Sequence, residues 1–183
     1  MKLKEKLNCN SCPARPLRTD NQLAKIERWE SMRESQVKKL HSINLYLLGE
    51  SIPSNRFIYD SNSKYLNSGI RYLMKIELGI DSDEEFFDFL NKNGILIADC
   101  ALCPLHKLEL EQSRIDAATI CLSRHTKGIL NVNPEAPIIT FFPKGKGFDK
   151  PQLPEIQDRI VGSFQFSRLR GLKDLINNII TTS

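Results

Sequence analysis

Four short apolar runs constrain this chain's fold more than any other feature: INLYLL at 43–48, ILIA at 95–98, PIITFF at 137–142 and RIVGSF at 159–164. A strand with one face in water alternates polar and apolar residues. A strand covered on both faces reads as a continuous apolar run, the condition of a parallel sheet. The segments between the runs carry helical spacing. The expected fold class is therefore α/β: a three-layer α/β/α sandwich around a central, mostly parallel four-stranded sheet.

The helices are bounded by ordinary signals. Asp20 caps a helix to about Leu40, with Leu23, Ile26, Val37 and Leu40 on one face and Trp29 near its side. Asn62 or Ser63 caps the next, whose apolar side is Leu66, Ile70, Leu73 and Leu78, with Gly79 as its stop. Ser82 or Asp83 caps an acidic helix over 84–92, and Glu84 and Glu85 sit in its favourable first turn. A longer helix is expected within 108–127, ended by Gly128. Ser167 caps the last helix, with Leu169, Leu172, Leu175, Ile176 and Ile179 on its face. Residues 144–155 read as a loop.

The 183 residues suit one domain spanning 1–183, with 1–18 as a cysteine-bearing N-terminal loop. Apolar residues at 40% and charged residues at 26% argue against a mostly disordered chain. No apolar run approaches the roughly 18 residues of a membrane span. The basic N-terminus MKLKEKLNCN lacks a signal peptide's apolar core. The expectation is a cytoplasmic monomer, nucleoid-associated if it binds DNA, with no membrane partner.

Net charge is +4, but its distribution says more. Residues 1–44 carry ten Lys/Arg against five Asp/Glu, and 141–183 carry seven against four. Residues 81–90 carry five acids and no base. Two basic ends beside an acidic helix either focus an anionic partner such as DNA onto one face or are ordinary solvated faces.

Parallel sheets place ligands outside the carboxyl ends of their strands. Here those ends are Gly49-Glu50, Asp99-Cys100, Phe142-Pro143 and Phe164-Gln165. Gly49 allows close backbone approach by a ligand. Glu50 either activates water or stabilises a developing cation, or else caps a local N–H. Phe57 and Tyr59 either stack on a base or pack their loop onto the domain. Asp99 either accepts an N–H from a heterocycle edge, works as a second acid/base group, or caps the following turn. No GxGxxG or GxxxxGK[ST] motif occurs, which disfavours a dinucleotide or nucleoside-triphosphate site. His106, near the second strand end, is the one histidine to test.

Five cysteines include two CxxC pairs, Cys9/Cys12 and Cys100/Cys103, and Cys121 lies on the next helix. Four thiolates hold a tetrahedral zinc or an iron–sulfur cluster; accidental free thiols are the alternative.

Taken in order, these segments resemble the uracil-DNA glycosylase superfamily, closest to its iron–sulfur-containing, thermophile-type branch. Cys9-Asn10-Ser11-Cys12-Pro13 resembles the branch's opening C-x2-C-P segment, and Leu48-Gly49-Glu50-Ser51-Ile52-Pro53 resembles its VGEAPG motif. Asp99 and Cys103, followed by Pro104, keep the spacing of the family's base-reading asparagine and cluster cysteine. The resemblance implies hydrolysis of the N-glycosidic bond of a deaminated or damaged base flipped from DNA. It assigns catalysis to Glu50, edge reading to Asp99 and base stacking to Phe57, or alternatively Tyr59; Gly49 and Gln165 are the further expected base contacts, with Gln165, Ser167 or Arg168 donating in place of the family's late histidine, absent here. It implies Cys9, Cys12, Cys103 and Cys121 as ligands of a 4Fe–4S cluster or structural zinc, with Cys100 spare.

Two departures stand out. Asp99 replaces the amide that reads uracil, and an ionised Asp accepts N3–H but cannot donate to O4. The family's late H-P-[SA] motif is absent; Gln165, Ser167 and Arg168 occupy that strand end, the last two as expected DNA contacts. A catalytically inactive nucleic-acid- or nucleotide-binding member of the same fold is the alternative.

Overall fold

The computed structural model describes residues 11–52, 57–60, 70–142, 154, 156–165 and 168–182, without the side chain of Phe142. Each apolar run becomes a strand: β1 (Leu45–Ser51), β2 (Ile95–Ala101), β3 (Ile138–Phe142) and β4 (Ile160–Gln165). The order across the sheet is β2-β1-β3-β4, and every neighbouring pair is parallel. Leu45, Leu47, Leu48, Ile95, Leu96, Ile138 and Ile139 are all buried, as strands covered on both faces require.

Two strands run further than their apolar stretches. Pairing of β1 with β2 continues from Leu45↔Ile95 through Gly49↔Asp99 to Ser51↔Ala101. Gly49, Glu50, Asp99 and Cys100 are thus held by the ladder rather than by loops. The chain leaves β1 for β2 on one side and later returns to β3 on its other side. This reversal puts the topological switch point, where ligands lodge in open α/β sheets, between β1 and β3.

Alternation along the strands separates the two faces. Leu47, Gly49, Ile97, Asp99, Ile139 and Gly162 share one; Leu48, Glu50, Ala98, Cys100, Thr140 and Ser163 share the other. The last helix, α6 (Leu172–Thr182), covers the first face, with Leu175 packed on Gly162. The second face takes α4 (Glu111–Cys121) and the short α5 (Lys127–Leu130). Arg114 of α4 reaches Glu50, and the buried Tyr46 hydroxyl donates to the Ile129 carbonyl at 3.0 Å.

Two helical segments, α1 and the stretch within 108–127, differ instructively from expectation. In α1 (Asp20–Lys39) Thr19, not Asp20, is the cap: its hydroxyl accepts the Gln22 N–H. The buried stripe of α1 is Gln22, Ile26, Trp29, Arg33 and Gln36, rotated from the purely apolar face. Polar side chains enter it because they find partners: Arg33 pairs with Glu30, and Gln36 bonds Asn91. Of the second helix, α2 (Ile70–Leu78) is described; its expected cap at Asn62 or Ser63 lies outside the described residues, as do Ser167 and the 144–153 loop.

In α3 (Asp83–Lys92) the Ser82 cap is reciprocal: its hydroxyl accepts the Glu85 N–H while Glu85 accepts the Ser82 N–H. These bonds hold the Glu85 carboxyl below its ordinary range. The expected single helix through 108–127 is instead α4, a π-helical turn over Leu122–Thr126, and α5. Gly128 lies within α5 rather than ending it. The wider turn brings Thr126 inward, where its hydroxyl donates to the Asp99 carbonyl at 2.8 Å.

Candidate functional site

The carboxyl ends of β1 and β2 bring two carboxylates close, one on each face of the sheet. Glu50 is 4% exposed and meets Arg114, whose Nε donates to Oε1 at 2.9 Å while Nη2 donates to the same oxygen. Arg114 sits on the inward stripe of α4 with Ala117, Ala118 and Cys121. A charged pair in such surroundings holds because each member neutralises the other; removing one leaves a buried charge.

Asp99 lies on the opposite face, beside Gly49 in register. A Cβ at position 49 would come 2.5 Å from Asp99 Oδ1, so only glycine leaves room for this carboxyl. Arg33, the cation nearest in effect, is engaged by Glu30. Desolvation pushes the Asp99 carboxyl from 3.8 up to about 7, opposed by Arg33 and reinforced by Glu30 and Glu50. It is a half-buried acid poised to change charge near neutrality.

Phe57 and Tyr59 are buried in an aromatic cluster. Phe57 stacks on Trp29 at 5.5 Å and meets Tyr59 edge-on; Tyr59 stacks on Phe87 at 6.2 Å. The Tyr59 hydroxyl accepts the Ile97 N–H at 2.7 Å and donates to the Ile97 carbonyl at 3.1 Å. It thereby satisfies the free edge of β2, and burial raises its own pKa. Arg71 fastens the same loop through the carbonyls of Ile58 and Asp60. These rings form the wall beside Asp99.

Gln165 ends β4 on the Glu50 face, with β3 between them. Its Oε1 is sealed from solvent and has no hydrogen-bond partner among the described residues. A buried orphan acceptor at a strand end is a group left for something else to satisfy. Arg168 is exposed, while Ser167 lies outside the described residues. His106 is exposed on a short 3-10 turn after β2.

The described cysteines, Cys12, Cys100, Cys103 and Cys121, are all buried; Cys9 lies outside the described residues. Arg18 Nε donates to Cys103 Sγ at 3.2 Å, which ties the N-terminal loop to the end of β2. The Leu102 N–H donates to Cys121 Sγ at 3.3 Å. Burial, with Asp99, Cys121 and Glu50 nearby, pushes the Cys100 thiol well up. Among the described residues no group of three or more His, Cys, Asp or Glu converges on a metal position. The described side chains alone therefore do not complete a metal centre. Nor, among them, is any helix long and apolar enough to cross a membrane.

Sequence reasoning missed Arg114 and Arg33. Both left a trace: an arginine on the stripe a helix turns inward signals a carboxylate waiting beneath it. No family model, curated protein or solved structure matches this chain.

Two outcomes follow from the Gly49–Asp99 contact. Gly49→Ala is expected to cost about 1–3 kcal/mol of stability through overpacking. In an Asp99→Ala background that cost falls below about 1 kcal/mol, since the two sites couple. Urea unfolding of the four chains measures this, and equal costs in both backgrounds refute the contact.

The raised Asp99 pKa also has a stability sign. The folded state holds this proton above the unfolded chain's value, so ionisation between about pH 4 and pH 7 penalises folding. Asp99→Asn lacks the penalty. Its stability advantage over wild type is expected to grow by about 2–4 kcal/mol from pH 4 to pH 8. A gap that stays flat across this window contradicts the assignment.

Proposed function

We propose that this chain is a DNA glycosylase-like hydrolase acting on a deaminated or damaged base turned out of the duplex. The observation that carries the reading is the cluster at the β1 and β2 ends, where Gly49 admits a half-buried, proton-poised Asp99 beside Glu50. In this reading Asp99 meets the edge of the base, while Gln165, on β4 and the opposite face, lies too far away to share that edge. Phe57 and Tyr59, packed with Trp29 and Phe87, back the β2 edge of the site. Glu50, oriented by Arg114, positions water at the sugar C1′. Water adds to C1′, the C1′–N bond breaks, and its electron pair leaves with the base. Exposed Arg168 and the basic chain ends supply phosphate contacts, and the protein works as a cytoplasmic, nucleoid-associated monomer.

A second reading has its own support. Glu50 is almost fully buried and its carboxylate is engaged by Arg114. That favours a member of the same fold that binds nucleic acid or a nucleotide without cleaving it.

Duplexes containing uracil, hypoxanthine or xanthine separate the two. Release of base, leaving abasic sites, is expected, with Glu50→Gln slower by about a hundredfold. Folded protein that releases no base from any duplex refutes the hydrolase. Binding that weakens steeply with salt and yields no product then identifies the second reading.

A structural metal held by Cys9, Cys12, Cys103 and Cys121 belongs to the same proposal. It rests on donor chemistry alone, and no step of the reaction runs through it. Metal analysis after anaerobic purification is expected to find zinc, or iron with a broad visible absorption band. Cys103→Ser should lose it. A folded chain without either metal removes this part of the proposal.

A further inference from the structure

We propose that Asp99 recognises its ligand as a neutral carboxyl group, pairing with the lactam edge of a cyclic amide through one donated and one accepted hydrogen bond, so that binding is gated by a proton. This deepens the preceding proposal and rests on its placement of the ligand at the ends of β1 and β2.

The geometry is that of a carboxyl given space but no donor. Gly49 clears the volume that Oδ1 approaches, and no side chain or backbone group among the described residues hydrogen-bonds the Asp99 carboxyl. Every charged or titratable neighbour that acts on it is already committed. On α1, Arg33 is held by Glu30. On β1, Glu50 is held by Arg114. In the loop after β1, the Tyr59 hydroxyl is used in both directions by the Ile97 backbone. Burial and the nearby charges of Glu30 and Glu50, each already paired with its own arginine, disfavour an ionised Asp99, and the carboxyl keeps its proton to about pH 7.

The protonation state decides what this group reads. A carboxylate only accepts, whereas a carboxylic acid presents O–H and C=O in one plane. A lactam presents N–H and C=O in one plane, and the two edges match bond for bond. Ionisation removes the donated bond and sets oxygen lone pairs against the lactam carbonyl. The proton thus restores to an aspartate the two-way hydrogen bonding of a side-chain amide. It meets the difficulty that an ionised acid at position 99 poses for a uracil-like edge.

The test uses uracil and 1,3-dimethyluracil as probes on the full chain. Wild type is expected to bind uracil at least tenfold more tightly at pH 5.5 than at pH 8.5. At pH 5.5 it should bind 1,3-dimethyluracil, which has no lactam N–H, at least tenfold more weakly than uracil. Asp99→Asn should bind uracil equally at both pH values. Carbon-13 NMR of aspartate-labelled protein should show one carboxyl titrating near neutrality, absent from Asp99→Asn. The proposal is overturned by uracil affinity that is undetectable, flat or rising with pH, or by an Asp99 midpoint in the ordinary carboxylate range. The two readings fail separately. Proton-gated uracil binding without base release removes only the hydrolase, and base release with pH-flat binding removes only the gate.

Discussion

The parallel pairing of β1 with β2 is the constraint on which the rest of the candidate site depends. The ladder runs past the apolar core of both strands and sets Gly49 opposite Asp99. Strand alternation then leaves no freedom: Asp99 must share the Gly49 face, and Glu50 must turn to the other. A slip of one residue would drive Asp99 toward α4 and Glu50 toward Arg33. Each acid would meet the wrong helix. Register is fixed by a core that buries Leu45, Leu47, Ile95 and Ile97 on one face and Leu48, Leu96 and Ala98 on the other. The apolar part of the strands therefore positions the polar part.

Two acids at neighbouring positions consequently live in different electrostatic worlds. Glu50 is buried deeply and made tolerable by Arg114, an arrangement that fixes geometry at the cost of reactivity. Asp99 is buried less, has no pairing cation of its own, and keeps its proton instead. The division is enforced by helices on opposite sides of the sheet. Arg33 on α1 pairs with Glu30, and Arg114 on α4 pairs with Glu50.

Much of this was legible in the sequence, for reasons that can be stated. The four apolar runs predict the parallel sheet because two-sided burial leaves no room for alternation, and the strand ends then locate Glu50, Asp99 and Gln165. The capping box at Ser82 is readable because its chemistry is local. The environment of the acids is not local. Arg114 is 64 positions from Glu50, and nothing in the sequence near Glu50 announces it. Phe57 and Tyr59 left two readings open, since an aromatic ring in a polar loop has the same sequence whether it faces a ligand or Trp29. The tertiary contacts resolve their present position: both are buried, and Tyr59 closes the β2 edge. The stripe of α1 misled for a related reason. Hydrophobic periodicity excludes arginine and glutamine from a buried face, but partners at Glu30 and Asn91 admit them.

Local rules fail where a structure carries a cost for some purpose, and the failures here are not scattered. Three of them meet around the strand ends. Arg33 occupies an inward stripe, an aspartate occupies a strand packed between helices, and Gln165 keeps a sealed oxygen without a partner. A chain selected only for stability would relieve all three cheaply, with a leucine at 33, a valine at 99 and a threonine at 165. The Arg33–Glu30 pair accounts for the first. It does not account for Asp99, because the same pair withholds the cation that would have stabilised an ionised acid. An unneutralised carboxyl beside an obligatory glycine is thus left unexplained by packing alone. The orphan oxygen of Gln165 is a separate exception, on β4 and on the opposite face of the sheet from Asp99.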